Sequence, residues 1–298
     1  MKSGFVGIIG RPNVGKSTLL NAILGEKIAI TTDKPQTTRN TIRGIFTRLE
    51  GNKDDLQLVF LDTPGIHKPR TKLGTFMTDS AIRTLKEVDV ILLLVDGPLS
   101  KGPGDSYILE LLKQVDTPKI LVINKIDLLD PDTFRGIFEE YESTGLFRHI
   151  FGVSALEGKN VPALMNAIES LTGEGPMYFP EDMVTDHPER FLVSEIIREK
   201  VLMYLDDEIP HGVAVEIEAY KETPELTRIS AVIHCERKSH KGIIIGKGGQ
   251  KLKGIGKSAR LEIEALLGTK VFLELWVKVT ENWRDNRSAI TNFGYDKD

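Results

Sequence analysis

The chain has 298 residues, of which 40% are hydrophobic and 28% charged, and its formal net charge is -4. A length of this order suits two compact cores, and the near-average composition excludes a fibrous or largely disordered chain. The negative balance excludes a global attraction to polyanions, so any nucleic-acid surface has to come from local segregation of charge. Cys235 is the only cysteine, which excludes an intramolecular disulfide and a thiol zinc cluster and suits a reducing cytoplasm. The longest apolar run, Val88 to Val95, is interrupted by Asp89 and falls short of the roughly 18 residues of a membrane helix. The glycine-interrupted start, Met1 to Gly10, reads as a first strand and not as a targeting peptide.

In chain order, short valine- and isoleucine-rich runs at Phe5–Ile9, Leu56–Leu61, Val90–Val95, Ile120–Ile123 and His149–Val153 alternate with amphipathic stretches. That alternation predicts an α/β domain, a mostly parallel sheet with helices on both faces. Thr41–Leu49 is expected to add an antiparallel edge strand to Leu56–Leu61, with Gly51–Asp55 as the turn. After Leu171 the alternation stops, so the first domain is placed at residues 1–172, a linker at 173–186 and a second domain at 187–298. In the second domain the pattern predicts a helix over Pro188–Leu205, strands at Val213–Tyr220 and Arg228–Cys235, a glycine-rich loop, a helix over Gln250–Leu267 and a strand at Val271–Val279. This order describes a small α+β domain.

Four loops of the first domain carry chemistry. GRPNVGKS, Gly10 to Ser17, lies between the first strand and an apolar helix, where a phosphate-binding loop must sit. Its glycines let backbone N–H groups approach phosphate, Lys16 can reach the β and γ oxygens, Ser17 can ligate Mg²⁺, and the helix N-terminus adds positive potential. We count Asn13, Val14, Gly15, Lys16, Ser17 and Thr18 as nucleotide-contacting. DTPG, Asp62 to Gly65, follows a strand; Asp62 would hold Mg²⁺ through water and the Gly65 N–H would meet the γ-phosphate. In the polar, proline-broken stretch Thr31–Asn40, Thr38 is the candidate for the second hydroxyl on Mg²⁺, with Thr37 its rival. NKID, Asn124 to Asp127, selects the base: Asp127 accepts hydrogen bonds from N1–H and the 2-amino group of guanine, neither of which adenine offers. Lys125 would lay its stem across the base, and Asn124 would tie this loop to the phosphate loop. Ser154 and Ala155 would present a backbone N–H to the guanine oxygen.

Where many GTPases place a glutamine after DxxG, this chain has Ile66, which cannot hydrogen-bond a water; slow intrinsic turnover is expected. Lys16, Thr38, Gly65 and Asn13 are the residues expected to act in hydrolysis, and His67 reads as a solvated side chain. In the second domain 18 basic and 18 acidic residues balance, yet Arg237 through Arg260 contains no acidic residue. This basic stretch encloses the GxxG loop Gly246–Gly249. Lys241, Gly242, Ile243, Ile244, Ile245, Gly246, Lys247, Gly248, Gly249 and Lys251 are the candidate RNA contacts: bare glycines admit a sugar-phosphate backbone, lysines neutralise it, and the isoleucines would line a groove for bases. Gly254 and Gly256 put the length of the following helix in doubt. Trp276 and Trp283 are expected to be packing residues and Cys235 a core residue.

The chain resembles the Era family of the translation-factor-like GTPases. The resemblance rests on GRPNVGKS, PQTTR at Pro35–Arg39, DTPGIH at Asp62–His67, NKID, SAL at Ser154–Leu156, GIIIGKGG at Gly242–Gly249 and LWVKVTENWRDN at Leu275–Asn286, and covers nearly the whole chain. It implies a P-loop nucleotide hydrolase with GTP or GDP and Mg²⁺, followed by a type II K-homology domain. It further implies that Asn13 helps bind a monovalent cation such as K⁺. The partner it implies is the 3′ end of small-subunit ribosomal RNA on the maturing 30S particle, with no DNA partner expected. A cytoplasmic location is implied, with peripheral association with an anionic membrane surface through the basic face.

Overall fold

Lys2–Gly10 forms β1, and the chain continues through α1 (Lys16–Leu24), β2 (Ile42–Arg48), β3 (Leu56–Asp62), α2 (Lys72–Thr84), β4 (Val90–Val95), α3 (Pro103–Leu112), β5 (Lys119–Ile123), α4 (Pro131–Glu142), β6 (His149–Gly152) and α5 (Val161–Leu171). The computed structural model describes residues 1–34, 36–51, 55–66, 68–98, 103–205 and 209–295. The strands lie in the order β2-β3-β1-β4-β5-β6, all parallel except β2, which pairs antiparallel with β3. Every residue of β3, β4 and β5 is buried, as expected for strands covered on both faces. Leu61, Ile91, Leu93 and Ile123 pack on one face against Ala81 of α2, Ile108 of α3 and Ile137 of α4. The alternate residues face the other way: opposite Phe60, Gly44 leaves room for Leu20 and Leu24 of α1, whose methyls would lie 2.8 and 2.7 Å from an added Cβ. The turn expected at Gly51–Asp55 includes residues 52–54, which lie outside the described residues.

The chain divides into two compact units, the first containing Met1–Ala29, Thr38–Pro69 and Met77–Asp186 and the second Ile30–Thr37, Arg70–Phe76 and His187–Asp298. The stretch 173–186, which the sequence presents as a linker, is hydrogen-bonded within the first unit. Buried Gln57 accepts from the Tyr178 and Phe179 N–H groups at 2.7 and 3.0 Å, and Ile45 N–H donates to the Val184 carbonyl at 2.7 Å.

The second unit comprises α6 (Glu189–Met203), β7 (Ala214–Lys221), β8 (Leu226–Cys235), α7 (Lys238–Ile245), α8 (Gln250–Leu267), β9 (Lys270–Val279) and α9 (Arg287–Asn292). β8 pairs antiparallel with β7 and parallel with β9. Ile197 and Val201 of α6, Ile244 of α7 and Ile255 and Ile263 of α8 share one core with Ile233, Cys235 and Val271 of the sheet.

One expectation changes here, and a doubt is removed. The run entered as part of a glycine loop is a helix, α7, that ends at Gly246 with φ 73°. Three β-branched isoleucines argue weakly against a helix, but burying Ile244 completely in the core outweighs that propensity. The helix over Gln250–Leu267 is unbroken through Gly254 and Gly256. A Cβ on Gly254 would lie 3.0 Å from the Tyr204 hydroxyl, so tight packing just beyond α6 explains the glycine.

Candidate functional site

β1 delivers the chain to Gly10 at the carboxyl edge of the sheet, the edge where open α/β folds bind ligands. α1 then starts behind Gly15, which is left-handed at φ 98°, with no side-chain cap and no acidic residue in its first turn. Its free backbone N–H groups and the helix dipole therefore favour an anion. Gly15 has a second reason to be glycine: a Cβ there would sit 2.2 Å from the Asn124 side-chain nitrogen. That nitrogen donates to the Val14 carbonyl at 2.8 Å, and the Asn124 oxygen accepts from Ala155 N–H at 3.0 Å. One buried asparagine thus ties the NKID loop to the phosphate loop, as its place in NKID led us to expect, and holds the Ser154–Ala155 loop as well.

Lys16 is buried, and its ammonium donates to the carbonyls of Gly10 at 3.3 Å and Arg11 at 2.9 Å. Burial lowers its pKa to about 8, with Asp62 and then Asp96 pulling the other way. Ser17 Oγ donates to Asp62 Oδ2 at 2.6 Å and lies 2.9 Å from Thr38 Oγ1. Thr37 does not compete for this cluster: its hydroxyl is 2.6 Å from Thr32 Oγ1 and donates to the Lys34 carbonyl at 2.6 Å. Asp62 is fully buried, its Oδ1 has no hydrogen-bond partner, and burial raises its pKa to about 6 against the opposing pull of Lys16 and Ser17.

Gly65 approaches the phosphate loop so closely that a Cβ would be 2.6 Å from the Pro12 nitrogen. Ile66 follows with no exposed surface, packed in the core, its N–H donating to the Gly10 carbonyl at 3.1 Å. That position offers nothing to a water molecule. His67 lies outside the described residues.

At the other end of the site Lys125 has a left-handed backbone and donates to the Asn13 carbonyl at 2.8 Å, while Asn13 itself is exposed and left-handed at φ 64°. Asp127 is exposed, and Ser154 is buried, with its Oγ accepting from Glu157 N–H at 3.3 Å. Leu156 is 83% exposed beside Ala155, an apolar surface that a flat base could cover.

Sequence reasoning missed the residues that brace the phosphate loop from α3. Arg11 Nε pairs with Asp105 at 2.8 Å, and the Asp105 carboxylate has no exposed surface. Burial raises the Asp105 pKa to about 6, opposed by Arg11. Its folded value thus lies above the ordinary 3.8, so between about pH 4 and pH 6 the folded chain binds more protons than the unfolded one and stability falls as pH rises. Urea unfolding from pH 4 to 7 should show this fall, up to about 1.4 kcal/mol per pH unit, reduced in Asp105→Asn. Parallel profiles for the two proteins would exclude Asp105 as the group responsible.

The second unit has its own concave surface. A groove of about 580 Å³ is lined by Leu252, Lys253, Gly256 and Lys257 of α8 and by Leu273 and Leu275 of β9. A Cβ on Gly256 would lie 3.5 Å from Leu275, so this glycine keeps the groove floor low. α8 begins at left-handed Gly249 with no side-chain cap, and Gly248 is also left-handed. Of the isoleucines expected to line the groove, Ile244 is fully buried in the core and cannot do so, Ile245 packs against that core, and Ile243 is 42% exposed. Helical geometry sends adjacent residues to different faces, which a loop reading could not anticipate. Lys241, Gly242, Lys247 and Gly248 are exposed, whereas Gly246, Gly249 and Lys251 are partly buried. A Cβ on Gly246 would lie 2.7 Å from the Lys251 Cβ. Trp283 is buried, donating to the Gly212 carbonyl at 2.9 Å, but Trp276 is 62% exposed and is not the packing residue expected.

These two sites define a class: a P-loop guanine-nucleotide-binding unit followed by a K-homology unit. Family models agree, one described as 50S ribosome-binding GTPase matching residues 5–125 and one described as KH domain matching residues 208–284. The chain is 60% identical to GTPase Era of Alkaliphilus oremlandii, covering 99% of both chains, and 59% identical to GTPase Era of Clostridioides difficile, covering 99% and 98%. Among solved structures it is similar to Era in complex with MgGDPNP and nucleotides 1506–1542 of 16S ribosomal RNA, with 42% identity, 99% of both chains covered and a TM-score of 0.92. It is equally similar to a variant of Aquifex aeolicus Era bound to GDP·AlF4⁻, with 42% identity, the same coverage and a TM-score of 0.93. The chain belongs to the Era family of GTPases.

Proposed function

We propose that this GTPase is a nucleotide-controlled RNA-binding switch that engages the 3′ end of small-subunit ribosomal RNA and acts in assembly of the 30S subunit. The observation that carries the nucleotide half is the convergence of Ser17, Thr38 and Asp62 within hydrogen-bonding distance, beside an uncapped helix N-terminus. These hard oxygen donors, with one buried carboxylate oxygen left unpartnered, fit Mg²⁺. Ser17 and Thr38 would hold it directly and Asp62 through water, and the ion would supply charge neutralisation at the β and γ oxygens. The Asn13–Thr18 stretch would wrap the phosphates, Gly65 N–H would meet the γ-phosphate, and Asp127 with Ser154 and Ala155 would select guanine. Asn13 is exposed, and its amide oxygen would serve a monovalent cation. Turnover measured at fixed magnesium should be several-fold faster in potassium than in sodium, and equal rates would remove that role.

For the RNA half, the relative solved in complex with 16S ribosomal RNA supports the partner, and the groove beside the GKGG turn is the surface we assign to it. Lys253 and Lys257 are exposed on the groove's rim. Replacing both by alanine should weaken binding of a 16S 3′-end oligonucleotide and reduce the slope of log K against log salt by roughly 1.4, since each phosphate contact on a single strand contributes about 0.7. An unchanged slope would place the phosphates elsewhere. The same basic face would attract anionic lipid at the inner surface of the cell membrane. That electrostatic association would weaken in salt, leaving the protein cytoplasmic.

Nucleotide control is supported by the membership of the second unit. Residues 30–37 lead into Thr38 and residues 70–76 follow the DTPG run, yet both cluster with the RNA-binding unit. There Thr31 N–H donates to Glu199 at 2.9 Å and Lys72 N–H to Asp285 at 3.0 Å. Single-turnover hydrolysis with and without the 3′ RNA tests the switch. Acceleration by RNA is expected, whereas an unaltered, negligible rate would favour a scaffold that uses nucleotide only for stability.

A further inference from the structure

The sheet order places β4 between β1, which feeds the phosphate loop, and β5, which feeds the NKID loop. The residue that follows β4 at the ligand edge is Asp96, which no nucleotide motif includes. Its two carboxylate oxygens go separate ways: Oδ1 accepts from Arg11 of the phosphate loop at 3.2 Å, and Oδ2 accepts from Lys125 of the base loop at 2.8 Å. Both cations are otherwise committed. Arg11 also pairs with buried Asp105 at 2.8 Å, and Lys125 also donates to the Asn13 carbonyl at 2.8 Å.

We infer that Asp96 is a positioning residue for guanine-nucleotide binding, a carboxylate that locks Arg11 of the phosphate loop and Lys125 of the base loop into one geometry. Lys125 has to lie extended for its stem to cover a base, and an ammonium held at its far end by one carbonyl alone would swing into solvent. Asp96 anchors that end, and through Arg11 the same charge fixes the entry of the phosphate loop. Because Asp96 and both partners keep 24–38% of their side-chain surface exposed, the bridge acts by restricting motion more than by raw Coulomb energy. It does for the charged side chains what Asn124 does for the backbone, and it supplies in advance an ordering that nucleotide would otherwise have to impose.

The inference rests on the guanine-nucleotide site, which Asp127→Asn tests separately by base selectivity. Asp96→Asn keeps the shape and removes the charge. It is expected to raise KM for GTP and weaken GDP binding about tenfold, to keep kcat at saturating GTP within about twofold, and to leave the preference for GTP over ATP intact. Lys125→Met combined with Asp96→Asn should be weaker than Lys125→Met alone by clearly less than the roughly tenfold loss of Asp96→Asn by itself, because the Lys125 arm of the bridge is already gone and only the Arg11 arm remains to lose. A KM within twofold of the wild type would overturn the proposal, as would losses that multiply in the double variant or a fall in kcat at unchanged KM. A second cycle keeps Asp96 in place and so survives misfolding of that variant: Arg11→Gln and Lys125→Met should show non-additive effects on GDP affinity, and independent effects would overturn the bridge.

Discussion

Asp127→Asn is expected to abolish the preference for guanine, weakening GDP binding by roughly 10³- to 10⁴-fold while leaving the weak binding of ADP unchanged. The carboxylate meets two donors, N1–H and the exocyclic 2-amino group. An amide keeps one acceptor for that pair and turns a donor of its own toward the other, so one contact survives and the second becomes repulsive. The cost is confined to binding, because Asp127 is exposed and its replacement should shift the melting temperature of the nucleotide-free protein little. Xanthine, which carries an oxygen where guanine carries the 2-amino group, restores a complementary pairing with the amide. XDP should therefore bind the variant far better than it binds the wild type. Calorimetric titration with GDP, ADP and XDP decides the matter; a variant that held GDP within tenfold of the wild type would remove Asp127 from base selection.

Lys16→Ala should lower single-turnover GTP hydrolysis by at least about 10²-fold, the scale on which removal of one preorganised charge donor slows group transfer. Among the described residues of the phosphate loop Lys16 is the buried cation, and its ammonium rests on the loop's own carbonyls. Those carbonyls are neutral partners that a phosphate would displace. Burial holds its pKa at about 8 in the free protein, and a phosphate beside it would raise that value. Nucleotide binding thus takes up a proton above pH 8, and affinity should fall as pH rises from 8 towards 10; below 8 this contribution is fully present. In Lys16→Ala the fall between about pH 8 and pH 9 should vanish, leaving only the loss at higher pH that comes from titration of guanine N1–H itself. Retention of either the rate or that fall would mean that the ammonium is directed elsewhere when nucleotide binds.

Particular residues show where sequence was sufficient and where it was not. Asn124 could be assigned its tie to the phosphate loop because the NKID run follows a strand that must end at the same edge as β1, and the structure gives that contact at 2.8 Å. Thr37 and Thr38 could not be separated, since adjacent hydroxyls in an irregular loop carry no periodicity. Only the observed turn, with Thr37 bonded back to Lys34, points Thr38 at Ser17. Ile244 was misassigned because glycine-isoleucine runs are compatible with loop, strand and buried helix alike. Trp276 was misjudged for a related reason: its strand was legible, but not that the face it occupies lacks a covering layer.

The sequence alone determined the alternating sheet, the four nucleotide loops, the choice of guanine and the basic stretch around GKGG. In each of these the residues that act together are neighbours in the chain, so spacing and residue type carry the information. Tertiary structure alone decided that β4 lies between the phosphate and base strands and so brings Asp96 to Arg11 and Lys125. It also decided that Leu273 and Leu275 of β9 form the far wall of the groove we propose for RNA, and that Asp105 braces Arg11 from α3. These contacts join residues far apart in sequence, and strand order and side-chain direction are set by how whole layers bury their apolar faces, which no local pattern encodes.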